Sequence, residues 1–209
     1  MIQIPISPPN QLTLLRILLT PVFVYYLFST EPLDKQIALG IFIIAALTDW
    51  YDGYVARRWG YITRWGKFLD PLADKVLTSA AFLSFVWIGY AQLWMVLIII
   101  IRDFLVTILR TYAEYRNTPI DTSYFAKTKT FAQLIVIYLF LVHYIVVTDP
   151  IFYRQIGWVV ETVATPVLMN IMMIMVTVMT AATGIYYGIT NWNTLKELFS
   201  QGAYDTNNE

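Results

Sequence analysis

The chain has 209 residues, 58% hydrophobic and 13% charged, with a mean hydropathy of +0.58. Soluble domains carry about 25% charged residues, and a chain this short has too little interior to hide so much apolar surface, so the composition points to a membrane protein. Lys+Arg and Asp+Glu balance at 14 each, which gives no global basic field for nucleic acid, and the lack of cysteine excludes disulfides, thiolate catalysis and Cys-zinc sites.

The opening MIQIPISPPN has no positive region ahead of the first apolar run, so it reads as a short interfacial segment and not as a cleaved signal. Six apolar segments follow, at roughly 12–29, 36–57, 68–90, 92–115, 129–147 and 157–188, each near the ~20 residues a spanning helix needs. The last contains Pro166, so a short outer piece is expected before a span that starts at about 167. Short connections predict antiparallel neighbours in one all-α bundle of six transmembrane helices. Residues 1–190 form that domain, and 191–209 form a tail that begins as an interfacial helix. Arg57, Arg58, Arg64, Lys67, Arg116, Lys127 and Lys129 fall in one set of connections, and Lys196 in the tail; the opposite set holds Lys35 and Arg154. The positive-inside rule makes the first set cytoplasmic and puts both termini there.

Four aspartates interrupt this apolar pattern. Asp49 and Asp52, at i and i+3, lie about 60° apart at the end of the second span. Asp70 and Asp74, at i and i+4, lie about 40° apart at the start of the third. A short loop joins the two spans, so the pairs are expected to face each other at similar depth. Four carboxylates in one pocket need counter-charge, and hard divalent cations supply it through oxygen ligands. The single histidine, His143, is distant, which argues against a zinc-type site. Two metals side by side would suit a phosphoryl or phosphodiester displacement. Gly53 and Ala56 leave a shallow face beside the aspartates, Arg57 can fork onto phosphate, and Gly66 is expected in the connecting turn with Pro71 in the first turn of the next helix. A lone aspartate in such a place is most often an interfacial ion pair; four on two stripes favour function.

The string Asp49-x2-Asp52-Gly53-x2-Ala56-Arg57-x8-Gly66-x3-Asp70-x3-Asp74 resembles the full signature of the CDP-alcohol phosphotransferase family. PNQLTLLR (9–16), GKFLDPLADK (66–75), IIIIRDFLVTILR (98–110) and AKTKTFAQ (126–133) are similar to one branch, whose members use CDP-diacylglycerol as donor and sn-glycerol 3-phosphate as acceptor. The resemblance covers about residues 9–135. It implies a six-helix homodimeric enzyme of the cell (inner) membrane, surrounded by membrane lipids, with its active site near the cytoplasmic face. It implies two divalent cations, Mg²⁺ or Mn²⁺, held by Asp49, Asp52, Asp70 and Asp74, with Asp74 also the base on the acceptor hydroxyl. Asp49, Gly53, Ala56, Arg57, Thr63 and Gly66 would line the CDP donor, and Asn10 and Thr13 would close that pocket.

A phosphorylated acceptor needs cations of its own. Arg102 and Arg110 lie about 80° apart on the fourth span, and Lys127 and Lys129 follow in the next cytoplasmic segment. These four are the candidate acceptor-phosphate residues. The bland readings are an Arg102–Asp103 ion pair and positive-inside topology for the two lysines. His143 reads as packed or interfacial, the tryptophans and tyrosines near span ends as an aromatic belt, and MNIMMIMVTVM (169–179) as flexible packing. The same donor with serine, inositol phosphate or phosphatidylglycerol as acceptor is the alternative. An ion or proton transporter is a remote one, because no acidic relay crosses the fifth and sixth spans.

Overall fold

The computed structural model describes residues 8–59, 64–116, 118, 124–192, 194 and 196, with side chains over 13–48, 71–116, 118, 125, 127–192, 194 and 196. Every described element is helical: α1 Pro8–Leu27, α2 Pro32–Trp59, α3 Arg64–Ile88, α4 Leu93–Tyr115, α5 Tyr124–Thr148, α6 Pro150–Val163 and α7 Pro166–Thr190. Pro71–Ile88 of α3, Lys127–Thr148 of α5 and the whole of α7 are long and apolar enough to cross a membrane. Thr13–Leu27 of α1 is a shorter apolar stretch. Large apolar side chains stand exposed along the helices, among them Ile101, Leu105, Met175, Val178 and Trp87 at 84%. Water does not tolerate so continuous an apolar surface, and lipid does.

The helix ends follow local chemistry. Pro150 and Pro166 occupy first-turn positions, where the missing N–H costs nothing. Asp149 caps α6 by accepting from the Ile151 and Phe152 amides at 2.8 and 3.4 Å, and Thr165 caps α7 by accepting from the Leu168 amide at 3.3 Å. Gly89, at φ +90°, makes the turn between α3 and α4 in a conformation that side chains rarely adopt. The apolar run expected at 157–188 is thus two helices. The short outer piece is a separate helix that already starts at Pro150. At the other end, α3 begins at Arg64, so Gly66 is a helical residue of its first turn and not part of the connecting turn. Pro71 correspondingly lies well inside the helix, where it leaves the Lys67 carbonyl without the usual intrahelical donor.

α1 packs along both α2 and α3, while α2 and α3 touch each other only lightly among the described residues. Phe23 of α1 meets Phe42 of α2 at 5.5 Å between ring centroids, and Phe42 meets Tyr138 of α5 at 5.4 Å. Phe85 of α3 meets Phe140 of α5 at 5.3 Å. These rings join Leu27, Leu77, Phe82, Ile137 and Leu141 in one core. At the α3–α4 turn Tyr90 bonds the His143 Nδ1 at 2.8 Å, so His143 is a packed residue. α4 packs against α3 on one side and α7 on the other.

Candidate active site

The signature aspartates fall where the helix periodicity put them. Asp49 and Asp52 lie on helical backbone towards the end of α2, and Asp70 and Asp74 on helical backbone early in α3. Each pair shares one face of its helix. Gly53, Ala56 and Arg57 continue α2, and Gly66 opens α3. Thr63 lies outside the described residues, as do the side chains of Asn10, Asp49, Asp52, Arg57 and Asp70. Asp74 is described in full, and so is the network behind it.

Asp74 is about one-third exposed, and its Oδ2 lies 3.2 Å from the Lys75 Nζ. Its Oδ1 has no hydrogen bond or ion pair among the described residues. A carboxylate oxygen is a donor that hard cations and protons both take. Thr78 donates its hydroxyl to the Asp74 carbonyl at 3.1 Å and braces the backbone one turn on.

Behind Asp74 stands a buried carboxylate that joins three helices. Asp103 of α4 has its side chain 5% exposed. Its Oδ1 accepts from the Lys129 ammonium of α5 and, at 3.2 Å, from the Arg102 guanidinium beside it. Its Oδ2 accepts from the Gln133 amide at 3.3 Å and lies 3.9 Å from the Lys75 Nζ. Lys75 thus bridges Asp74 and Asp103. In this cluster Lys75, Arg102 and Lys129 outnumber Asp74 and Asp103 by one charge, so the site is cationic where it borders Asp74. Buried charges persist only when paired and hydrogen-bonded in this way.

The four candidate acceptor residues separate into two kinds. Arg102 and Lys129 belong to the buried cluster, and Lys129 is 1% exposed. The Arg102–Asp103 ion pair weighed from the sequence is present. Arg110, two turns further along α4, and Lys127, at the start of α5, are exposed. Lys129 is buried because α5 begins at Tyr124, which carries residue 129 into the bundle and not into a connecting loop.

Sequence reading passed over three residues here. Asp103 is visible there only as a neighbour of Arg102, Lys75 as an ion-pair partner for a lone aspartate, and Gln133 only as the last residue of AKTKTFAQ. Arg16 is a fourth. This arginine of α1 is 1% exposed and donates its Nε to the Ala45 carbonyl at 3.4 Å, one turn before Asp49. The string PNQLTLLR held the signal, since an arginine in an apolar helix is costly without a purpose.

Residues 6–182 match the sequence profile of the CDP-alcohol phosphatidyltransferase family. The chain belongs to that family. Among its curated relatives is the CDP-diacylglycerol–glycerol-3-phosphate 3-phosphatidyltransferase of Bacillus subtilis, 41% identical over 147 residues, which are 65% of this chain and 76% of the relative. Proteins of the same name from Rickettsia bellii and Salmonella typhimurium are 36% and 39% identical over 126 and 132 residues. Those alignments take in 60% and 61% of this chain and 70% and 72% of the relatives.

Proposed function

We propose that this protein transfers the phosphatidyl group of CDP-diacylglycerol to sn-glycerol 3-phosphate, releasing CMP and forming phosphatidylglycerophosphate. What carries this reading is one juxtaposition. The complete aspartate signature lies on α2 and α3 of a family member whose relatives bear that activity in their names, and a buried cationic cluster adjoins its last aspartate.

Asp49, Asp52, Asp70 and Asp74 would hold two divalent cations, Mg²⁺ or Mn²⁺. Bound there, they would supply positive charge to the diphosphate and to the departing CMP. The chain's own groups do the rest. Gly53, Ala56 and Gly66 leave room for the nucleotide against helix backbone, and Arg57 and Thr63 supply donors to the diphosphate, with Asn10 and Thr13 closing the pocket. Lys75 holds Asp74 by Oδ2, which leaves Oδ1 to take the proton from the acceptor hydroxyl. The hydroxyl oxygen then bonds the phosphorus that carries diacylglycerol, the bond from that phosphorus to the CMP oxygen breaks, and CMP leaves with the electron pair. Arg102, Arg110 and Lys127 face the acceptor's phosphate, with Lys129 behind them in the grip of Asp103. Six of the helices span the membrane, both termini and this site lie on the cytoplasmic side, and the enzyme works as a homodimer in the cell membrane. The excess of Lys and Arg at the aspartate end supports that orientation.

Purified protein in detergent, given CDP-diacylglycerol, glycerol 3-phosphate and Mg²⁺ or Mn²⁺, is expected to yield phosphatidylglycerophosphate by mass spectrometry. Excess EDTA should reduce the product to background, and added Mg²⁺ or Mn²⁺ should restore it. Undiminished turnover in EDTA would contradict the metal assignment. Replacing Arg110 by Ala is expected to raise the KM for glycerol 3-phosphate roughly tenfold, as loss of a charge-assisted hydrogen bond does, while the KM for the CDP-lipid stays within about twofold. Equal losses for both substrates would count against this pocket.

A further inference from the structure

The seam between α4 and α7 holds polar atoms that none of the roles above uses. Thr180, Gly184 and Tyr187 recur at i, i+4 and i+7, so they lie on one face of α7. Gly184 is where that face meets Arg102. A Cβ there would stand 2.8 Å from the Arg102 Cγ and 3.5 Å from its Nε, so only the missing side chain lets the arginine stem lie against α7. One turn on, the Tyr187 ring packs against Ala113 of α4, three residues past Arg110. The Tyr187 hydroxyl, the Arg102 Nε and the Thr180 hydroxyl are all buried and have no hydrogen-bond partner among the described residues. A buried polar group without a partner is unfavourable. One of the three belongs to Arg102, an arginine assigned to an anion, and another sits one turn from the glycine against which Arg102 lies.

We propose that Tyr187 is an acceptor-binding residue: its hydroxyl and the Arg102 Nε donate to one phosphate group, Arg110 covers that phosphate from the exposed side, and Gly184 keeps Arg102 in place. The site would take a phosphate monoester dianion, so Tyr187 helps select a phosphorylated acceptor over an unphosphorylated alcohol. This rests on the acceptor reading above, and it brings the C-terminal third of the chain, where the sequence showed only hydrophobicity, into the site.

The test is Tyr187→Phe, which removes one oxygen and keeps the ring. In the full-length enzyme the KM for glycerol 3-phosphate is expected to rise about tenfold, the scale of one hydrogen bond to a charged group. Turnover and the KM for CDP-diacylglycerol should stay within about twofold. Inorganic phosphate, used as a competitor of glycerol 3-phosphate, should weaken by a similar factor, and the melting temperature should not change. Unchanged constants for glycerol 3-phosphate and phosphate would overturn the proposal, as would a loss confined to turnover or a drop in melting temperature that marks Tyr187 as packing alone. Wild-type enzyme inactive with glycerol 3-phosphate would instead remove the acceptor reading and this proposal with it. Gly184→Ala is the second variant: its Cβ pushes on the Arg102 stem and should raise the same KM, and an unchanged KM would count against the placement of Arg102.

Discussion

Asp74→Asn enzyme is expected to fold, to bind CDP-diacylglycerol, and to release CMP at least about a thousandfold more slowly than the unaltered chain. The size follows from two roles lost at one position. A positioned general base is worth about 10²–10⁴ in rate, and a neutral amide is a poorer partner for a hard cation than a carboxylate. Folding should survive because Asp74 is about one-third exposed and its one described side-chain contact is with Lys75, which keeps Asp103 within 3.9 Å. Thr78 braces the backbone carbonyl of residue 74 and not its carboxylate. CMP release and a melting curve on the same preparation check this. A variant that melts normally and turns over at more than about a tenth of the wild-type rate would remove Asp74 from the role of base.

Asp103→Asn should act on stability. It leaves the Lys129 ammonium, 1% exposed, with an amide in place of its anion, and leaves Arg102 and Lys75 beside it. Removing one partner of a buried pair costs about 3–5 kcal/mol, because the remaining charge stays desolvated and unpaired. For a chain of this size that corresponds to a fall of roughly 10 °C in melting temperature. The double variant Asp103→Asn with Lys129→Met should recover most of the loss, since the buried charge disappears with its partner. Thermal melts of wild type, single and double variants in one detergent decide it. A double variant no more stable than the single one would mean that Lys129 is not the charge Asp103 neutralises.

Much of this molecule could be read along the chain. The aspartate pattern is local: i, i+3 and i, i+4 fix a helical face whatever else the fold does, and the structure puts both pairs on helix. The apolar runs gave the helices to within a few residues except where proline and cap residues intervene. Asp149 with Pro150, and Thr165 with Pro166, start two helices where hydrophobicity alone shows one run. Asp103 was illegible for a different reason. Its partners sit 26 and 30 residues ahead on α5 and on α3 behind it, so nothing short of the packing of three helices distinguishes it from a simple pair with Arg102. Tyr187 was hidden likewise. A tyrosine near a span end reads as part of the aromatic belt until α7 is seen to press Gly184 against Arg102.

CMP release by the purified protein, with CDP-diacylglycerol and Mg²⁺ or Mn²⁺ present and each acceptor offered alone, tests the central claim most directly. Glycerol 3-phosphate should drive release, while serine, inositol phosphate and phosphatidylglycerol should leave it near background. Release with one of those three and not with glycerol 3-phosphate would contradict the acceptor assignment, and release with serine or phosphatidylglycerol would contradict the roles of Arg102, Arg110 and Tyr187 as well.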